Sequence, residues 1–235
     1  MRKSSSNVKR ARALLGTLVE ISIAADCFLP ALQSAFAVIE RVQRLMSRQE
    51  AASDVARINA AQPDSTVEVA TWTYEVLERA RDMHALTEGL FDCGLGNAEL
   101  RGSNSIHVRE PLALTLDGIA KGYAVDRAVE TLRRAGVPSG VVNAGGDLRV
   151  FGETFAPVHV RHPASPGKFA YVGHIKDAAV ASSAANGFGA TVVAADCMTA
   201  DALTKPCMLA PRRAREIAQQ FAAHAFSIDG QGRLL

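Results

Sequence analysis

The sequence predicts an α+β fold, and two patterns along its 235 residues support this prediction. In the first half, apolar residues recur at helical spacing over two long segments, residues 30–47 and 70–86. In the second half, short segments rich in β-branched residues are separated by turn residues, which is typical of strands. No internal repeat or long linker divides the chain, so we expect a single domain over residues 1–235.

The individual elements follow from the same periodicities. Residues 16–23 read as a half-buried strand because Val19, Ile21 and Ile23 alternate with polar or small residues. The apolar faces of the two helices are Leu32, Phe36, Ile39 and either Val42 or Gln43 in the first, and Val76, Leu77, Ala80 and Met83 in the second.

The second half of the chain is expected to supply most of the sheet. Six strands should pair into one sheet, at residues 105–108, 112–116, 140–143, 156–160, 169–175 and 190–195, with a last strand around 225–229. A helix at 122–135, stopped by Gly136, buries Val125, Ala128, Val129 and Leu132. Further helices are expected to start near Thr199 and Pro211.

Composition and charge exclude several classes of protein. The chain has 26 basic and 24 acidic residues, and because they are well mixed we expect no nucleic-acid partner. The four cysteines, Cys27, Cys93, Cys197 and Cys207, are far apart and form no CxxC pair, which favours structural thiols over a metal site or a disulfide framework.

The N-terminal segment has the positive charge of a signal peptide, but its apolar part alternates as a strand and is interrupted by Gly16 and Glu20. We therefore expect no secretory, lipoprotein or membrane-spanning segment. As the sequence stands this predicts a cytoplasmic protein, and a periplasmic location stays open if the N-terminus has been trimmed.

The segment from Leu116 to Asp147 contains the strongest candidate for a binding site. Residues 117–122, DGIAKG, place small residues and Lys121 just before a predicted helix, where accessible backbone and a positive charge suit a phosphate. A solvated lysine at that corner is an equally good interpretation of the spacing alone. The following NAGGD, residues 143–147, comes after an apolar strand but lacks the context of a dinucleotide-binding GxGxxG motif.

The two motifs together resemble a known family. LDGIAKGYAVDRAVETL followed by VNAGGDLRVFG is similar to the signature block of the FAD:protein FMN transferase family, the ApbE family. Four further blocks resemble the family in the same order: LLGTLVEISI, SRQEAASDVARIN, TEGLFD and TVVAADCMTADAL. Five ordered blocks over nearly the whole chain make a chance similarity very unlikely.

The resemblance implies a single α+β domain with a mainly antiparallel sheet packed against helices. It implies that FAD lies across the sheet with a divalent metal, usually Mg²⁺, at its pyrophosphate. The implied reaction is attack by a Thr or Ser hydroxyl of an acceptor protein on the FMN-side phosphorus, with AMP as the leaving group.

The resemblance also implies roles for individual residues. Phe91 and Asp92 fall where the family contacts flavin, Lys121 falls beside the phosphates, and Gly118 and Asp201 fall where metal ligands are supplied. Thr115, which stands where many members carry an acid, and Asp147 complete the expected cofactor-binding set, although Asp147 is favoured as a residue that shapes the turn.

Departures from the family pattern leave the chemistry open. Lys205 stands where the family has a metal-binding Thr. We expect the Lys205 side chain to form an i,i+4 ion pair with Asp201. The alternative is that Pro206 distorts the helix and turns Lys205 into solvent, which leaves Thr204 as the metal ligand. The loop that carries a histidine in the family is missing between Ser183 and Thr191, and the catalytic residue is therefore unknown.

None of the six histidines replaces the missing one in place, although His159 or His162 could approach from another direction. Three functions remain: an active FMN transferase, which we favour, a non-catalytic flavin-binding or FAD-binding relative, and a structural protein that has lost the ligand.

Overall fold

The chain folds around a seven-stranded antiparallel sheet, in a computed structural model that describes residues 7–24, 28–161, 169–185 and 187–235. The strands are β1 (Asn7–Leu14), β2 (Thr17–Ala24), β3 (Ser65–Glu68), β4 (Ala98–Arg101), β5 (Ser105–Val108), β6 (Gly140–Ala144), β7 (Asp147–Phe151), β8 (Phe155–Arg161), β9 (Phe169–Lys176), β10 (Ala179–Ala185), β11 (Phe188–Ala194) and β12 (His224–Ile228). The helices are α1 (Leu29–Met46), α2 (Asp54–Asn59), α3 (Thr71–Leu86), α4 (Ala120–Arg134), α5 (Cys197–Leu209) and α6 (Ala214–Gln219).

The large sheet has the order β1-β2-β6-β7-β10-β11-β12. Helix α4 contacts β6 and β7, α5 contacts β10 and β11, and α1 packs against α4, so these three helices lie together over the sheet. The predicted apolar faces of α1, α3 and α4 are buried in one hydrophobic core, with Val42 rather than Gln43 completing the face of α1. The α+β class, the alternation of β2 and the periodic helices are confirmed.

The prediction of one sheet is wrong, because the described strands form three sheets. Strand β5 pairs with β3 and β4 in a three-stranded sheet, and β8 pairs only with β9. A small apolar cluster that includes Val150, Val158 and Ile175 joins the β8–β9 hairpin to the large sheet. The partners of these strands are chosen by tertiary packing, which the pattern of single strands does not report.

The predicted strand at 112–116 is also wrong, since these residues have no regular structure. Leu114 and Leu116 are buried as alternation suggests, but the backbone partners are not a neighbouring strand. The side-chain amide of Asn59 donates to the carbonyl of Leu114 at 2.9 Å and accepts from its N–H at 2.7 Å, and the N–H of Thr115 donates to the carbonyl of Cys93 at 2.9 Å. A side chain and a loop thus satisfy backbone groups that a sheet would otherwise pair.

Candidate functional site

Lys121 lies in the first turn of α4, directly after the irregular segment 112–119. Its ammonium group forms an ion pair and hydrogen bond with Oδ2 of Asp147, a carboxylate whose side chain is only 3% exposed, whereas 32% of the Lys121 side chain stays accessible. The structure therefore brings together the two ends of the segment that the sequence singled out. A solvated, unpaired Lys121 is excluded by this contact.

Asp147 follows the Gly145–Gly146 turn and begins β7. Both glycines have positive φ, and a Cβ on Gly145 would lie 2.4 Å from Oγ1 of Thr17, so no side chain fits there. The prediction that Asp147 shapes the turn is wrong in detail, because Oδ1 of Asn143 accepts the N–H of Gly146 at 2.8 Å. Asp147 instead accepts from Lys121 and, at 3.4 Å, from the N–H of Ser182 in β10.

Helix α5 begins in direct contact with α4. Asp126 of α4 accepts the N–H groups of Cys197 and Met198 at 2.9 and 2.8 Å, and Asp196 caps the same turn by accepting the N–H of Thr199 at 2.7 Å. A Cβ on Gly122 would lie 2.2 Å from the carbonyl oxygen of Cys197. The small residue of AKGYA is therefore what allows α5 to lie against the start of α4.

This contact carries Asp201 to the first turn of α4. Oδ2 of Asp201 accepts the N–H of Gly122 at 3.0 Å, so a buried carboxylate from α5 caps a helix whose own N-cap residue, Ile119, provides no side-chain bond. The sequence resemblance placed Asp201 near Lys121 and Gly118, and the structure brings these residues together.

The charges of this cluster influence each other strongly. Burial, and next the nearby carboxylate of Asp147, raise the pKa of Asp201, while Lys121 opposes the rise. Burial by itself would lower the pKa of Lys121, but the attraction of Asp201 and Asp147 outweighs it and raises the pKa. Lys121 thus stays a cation while it balances two buried carboxylates.

Lys205 approaches the same cluster from α5. A Cβ placed on Gly118 would lie 3.0 Å from the Lys205 Nζ and 3.1 Å from its Cε, so the half-buried side chain lies directly on the Gly118 backbone. Its positive charge lowers the pKa of both Asp201 and the Cys93 thiol, although burial raises both overall.

Both expectations for Lys205 are wrong. Helix α5 continues through Pro206 to Leu209, so the side chain does not swing into solvent. Within the described part of the chain, no carboxylate lies at ion-pair distance from Lys205, because Asp201 faces the N–H of Gly122 instead. Thr204 is buried, donates to the carbonyl of Asp201 at 2.8 Å and shares a hydrogen bond with Ser183 at 2.9 Å, which leaves its hydroxyl group committed elsewhere.

These donors and charges do not fit a magnesium site. Mg²⁺ requires oxygen ligands in octahedral geometry, whereas the Asp201 carboxylate accepts the N–H of Gly122 and feels the positive charges of Lys121 and Lys205, and neither an N–H nor an ammonium group has a lone pair to give. Among the residues for which positions are described, no group of three or more His, Cys, Asp or Glu side chains could hold a metal ion.

Two cavities border the Lys121–Asp147 pair, one through Lys121 itself and the other through Gly146 and Ser182 next to Asp147. The first, which we call the α1 cavity, has a volume of about 520 Å³ and is lined by the end of α1, the β1–β2 turn and residues 116–121, including Lys121 itself. The second, the hairpin cavity, has a volume of about 330 Å³ and is lined by Gly145, Gly146, His159, Ser182 and Ser183 among others. Both volumes are in the range of small-molecule sites.

The remaining predicted residues lie around a third cavity. Asp92 lines this space of about 480 Å³ together with His84 and Arg109, while Phe91 is only 1% exposed and belongs to the core. Thr115 links this region to the cluster, because its N–H bonds to the carbonyl of Cys93 and its hydroxyl accepts the N–H of Asp117 at 3.3 Å. Phe91 and Asp92 are therefore near the Lys121 cluster but do not share a cavity with it.

Strands β10 and β11 form a hairpin, in which Ala185 pairs with Phe188, where the resemblance implies a loop that carries a histidine. His159 lines the hairpin cavity and has a ring contact with Tyr171, with centroids 5.9 Å apart, and His162 lies outside the described residues. Cys93, Cys197 and Cys207 are buried and free, as structural thiols should be, whereas Cys27 is outside the described part.

Sequence reasoning did not assign the roles of Gly122, Asp126 and Ser182, which position the cluster. Gly122 carried a signal, since a glycine inside a helical pattern indicates a close approach of another backbone. The partners of Asp126 and Ser182 belong to distant segments, and nothing in the local sequence identifies them.

Comparisons with known proteins agree with this architecture. The model of the ApbE family matches residues 15–105 and 96–188. The fold is similar to that of the ApbE protein from Thermotoga maritima, with a TM-score of 0.86 and 24% identity over 98% of this chain and 96% of that one. It is also similar to flavin transferase ApbE from Vibrio cholerae, with a TM-score of 0.84 and 21% identity over 95% and 94% of the two chains.

Flavinyl transferase ApbE from Pseudomonas stutzeri is similar as well, with a TM-score of 0.84 and 17% identity over 97% and 92% of the two chains. No curated protein matches the sequence significantly. Within the described residues, no helix has the length and apolar character needed to cross a membrane. Because the family model covers most of the sequence, the chain belongs to the ApbE family.

Proposed function

We propose that the protein is a flavin transferase that moves FMN from FAD to a Ser or Thr hydroxyl group of an acceptor protein. The new bond joins the hydroxyl oxygen to the FMN-side phosphorus, the phosphoanhydride bond breaks, and AMP leaves with the bridging oxygen. The proton of the hydroxyl group is released. Family membership and the position of the Lys121–Asp147 pair support this proposal.

The observation that carries the proposal is the Lys121–Asp147 pair, which borders two cavities. FAD has a ring system at each end and a diphosphate in the middle, and its two ends are proposed to occupy the α1 cavity, which Lys121 lines, and the hairpin cavity, which Gly146 and Ser182 line next to Asp147. The accessible part of Lys121 and the ammonium of Lys205 can both donate to phosphate oxygens.

The lysines would also promote the chemistry. The phosphorus of a diphosphate is a poor electrophile until the charge of its oxygens is neutralised, and fixed cations in a partly buried site provide this neutralisation without reorganising. Asp147 holds Lys121 in place, and Gly118 and Thr115 lie beside the expected phosphate position. Asp92 is proposed to contact the ligand from the third cavity, and Phe91 to support that turn from the core.

Magnesium is the metal that the family resemblance implies, and the transfer assay described below also tests whether the reaction requires it. Because the donor set around Asp201 does not fit this ion, no step above depends on it. The transfer assay therefore includes one arm with Mg²⁺ and one with EDTA.

A second candidate is an FAD-binding protein without transferase activity. It is favoured by the β10–β11 hairpin, which replaces the loop that carries the family's histidine. In the part of the chain that the structure describes, His159 is the only titratable side chain lining the hairpin cavity, whereas Glu50 and Asp117 line the α1 cavity beside Lys121. In this case FAD would bind but AMP would not be released.

The test uses the full chain, FAD and a mixture of Ser- and Thr-containing acceptor peptides. We expect a peptide mass gain of FMN less one water and an equal amount of AMP. Lys121→Glu should weaken FAD binding by at least about tenfold, the effect of losing one charge-assisted hydrogen bond, while Lys9→Glu on the exposed strand β1 should not. FAD binding without AMP would favour the second candidate, and no FAD binding would overturn both.

A further inference from the structure

The position of Lys205 indicates how the cluster holds a diphosphate. Its side chain crosses the Gly118 backbone, with Nζ 3.0 Å from where a Cβ would be, and it is half-buried although no carboxylate within the described residues lies at ion-pair distance. A half-buried ammonium group that no carboxylate holds at ion-pair distance is well placed to bind an anionic ligand.

The other charges of the cluster leave Lys205 free for this role. Lys121 is paired with Asp147, and the carboxylate of Asp201 is fixed by the N–H of Gly122 at 3.0 Å. The single positive charge of Lys121 is thus shared between two acidic side chains. Lys205 adds a second positive charge, which acts on Asp201 but which no carboxylate of the described residues holds in an ion pair.

The backbone at Gly118 makes room for this ammonium group. Gly118 is buried and has no positive φ, so its conformation does not require glycine. What requires a small residue is the Lys205 side chain, whose Nζ, Cε and Cδ atoms would lie 3.0, 3.1 and 3.4 Å from a Cβ. Lys205 and Gly118 thus form one fitted contact at the place where the family resemblance implies two metal ligands.

We propose that the Lys205 ammonium takes the place of the divalent cation, so that this protein binds the diphosphate of its ligand without Mg²⁺. The inference rests on the proposed function in that the diphosphate is taken to be that of FAD. A monovalent ammonium donates hydrogen bonds to phosphate oxygens and needs no ligand oxygens from the protein, which agrees with the donors present.

The experiment compares ligand binding by wild type, Lys205→Met, Lys205→Thr and the surface control Lys9→Met, in EDTA and in Mg²⁺. Circular dichroism and thermal melting establish that each variant is folded. Calorimetry with FAD, ADP and riboflavin separates recognition of the diphosphate from that of the flavin. A further titration adds Mg²⁺ to each FAD-saturated protein.

We expect wild type to bind FAD equally in EDTA and Mg²⁺, and to give no heat of Mg²⁺ binding. Lys205→Met should lose about tenfold or more in affinity for FAD and ADP but not for riboflavin, because one charge-assisted hydrogen bond is removed. Lys205→Thr should bind weakly in EDTA and recover in Mg²⁺, since a hydroxyl oxygen replaces the ammonium. The control should behave as wild type.

The inference is overturned if wild type binds FAD only in Mg²⁺, or if Lys205→Met leaves the affinity for FAD and ADP unchanged. Either result leaves the transferase proposal standing. Absence of FAD binding by wild type in both conditions would overturn the proposed function as well as this inference.

Discussion

Replacing Gly122 by alanine should destabilise the fold, because this residue sets the distance between α4 and α5. The new Cβ would lie 2.2 Å from the carbonyl oxygen of Cys197, 2.6 Å from its carbonyl carbon and 2.7 Å from the Cα of Met198. All three atoms are backbone, held by the Asp126 and Asp196 hydrogen bonds, so none can rotate away.

The expected size follows from two opposing effects. Overpacking costs about 1–3 kcal/mol, and displacement of backbone puts this site at the upper end. Alanine inside a helix stabilises the folded state by about 0.5–1 kcal/mol relative to glycine, which offsets part of this cost. The free energy of unfolding should therefore fall by about 2 kcal/mol, which corresponds to a decrease in Tm of about 4–8 °C for a chain of this size.

Gly118→Ala is the matched control. Its Cβ would meet only the flexible end of Lys205, at 3.0 Å and beyond, so we expect stability to change by less than about 0.5 kcal/mol. Urea unfolding followed by circular dichroism measures both variants. A Gly122→Ala protein as stable as wild type would refute the close contact between the two helices, and equal losses in both variants would refute its assignment to Gly122.

Two further predictions concern the buried cluster and the thiols. Asp147→Ala should lower the free energy of unfolding by about 2–3 kcal/mol, which is less than the loss expected for a fully buried ion pair because the Lys121 side chain is 32% exposed. A variant that kept its stability but lost flavin binding would instead make Asp147 a ligand contact. Burial raises the pKa of Cys93 to about 11 and that of Cys207 to about 12, so both should resist iodoacetamide at pH 8 in the folded protein and react after denaturation. Peptide mapping by mass spectrometry measures this protection, and rapid modification of either thiol in the folded protein would contradict its burial.

The periodic elements could be predicted from the sequence because their signal is local. Val19, Ile21 and Ile23 alternate and are buried, and the apolar faces of α1, α3 and α4 are the ones that the 3.6-residue period indicates. Strand β1 was missed because its sequence NVKRARAL is highly charged, as suits an edge strand that is paired on one side only.

The site could be predicted only in part, because its contacts join residues that are distant in the sequence. The positions of Lys121 and Asp147 follow from motifs at the ends of one helix and one strand, but their ion pair depends on how α4 lies against the sheet. The direction of Lys205 depends on the fit between Gly122 and Cys197, which sets the position of α5. The i,i+4 spacing along α5 predicted an ion pair between Asp201 and Lys205, but the Asp201 carboxylate accepts the backbone N–H of Gly122 instead.

A crystal structure of the protein grown with FAD in the presence of Mg²⁺ would test the central claim most directly, namely that Lys121 and Lys205 together hold the diphosphate. The account predicts both ammonium groups within hydrogen-bond distance of phosphate oxygens, with one end of FAD in the α1 cavity and the other in the hairpin cavity. A metal ion bridging Asp201 and the phosphates, with Lys205 displaced, or FAD bound away from this cluster, would contradict it.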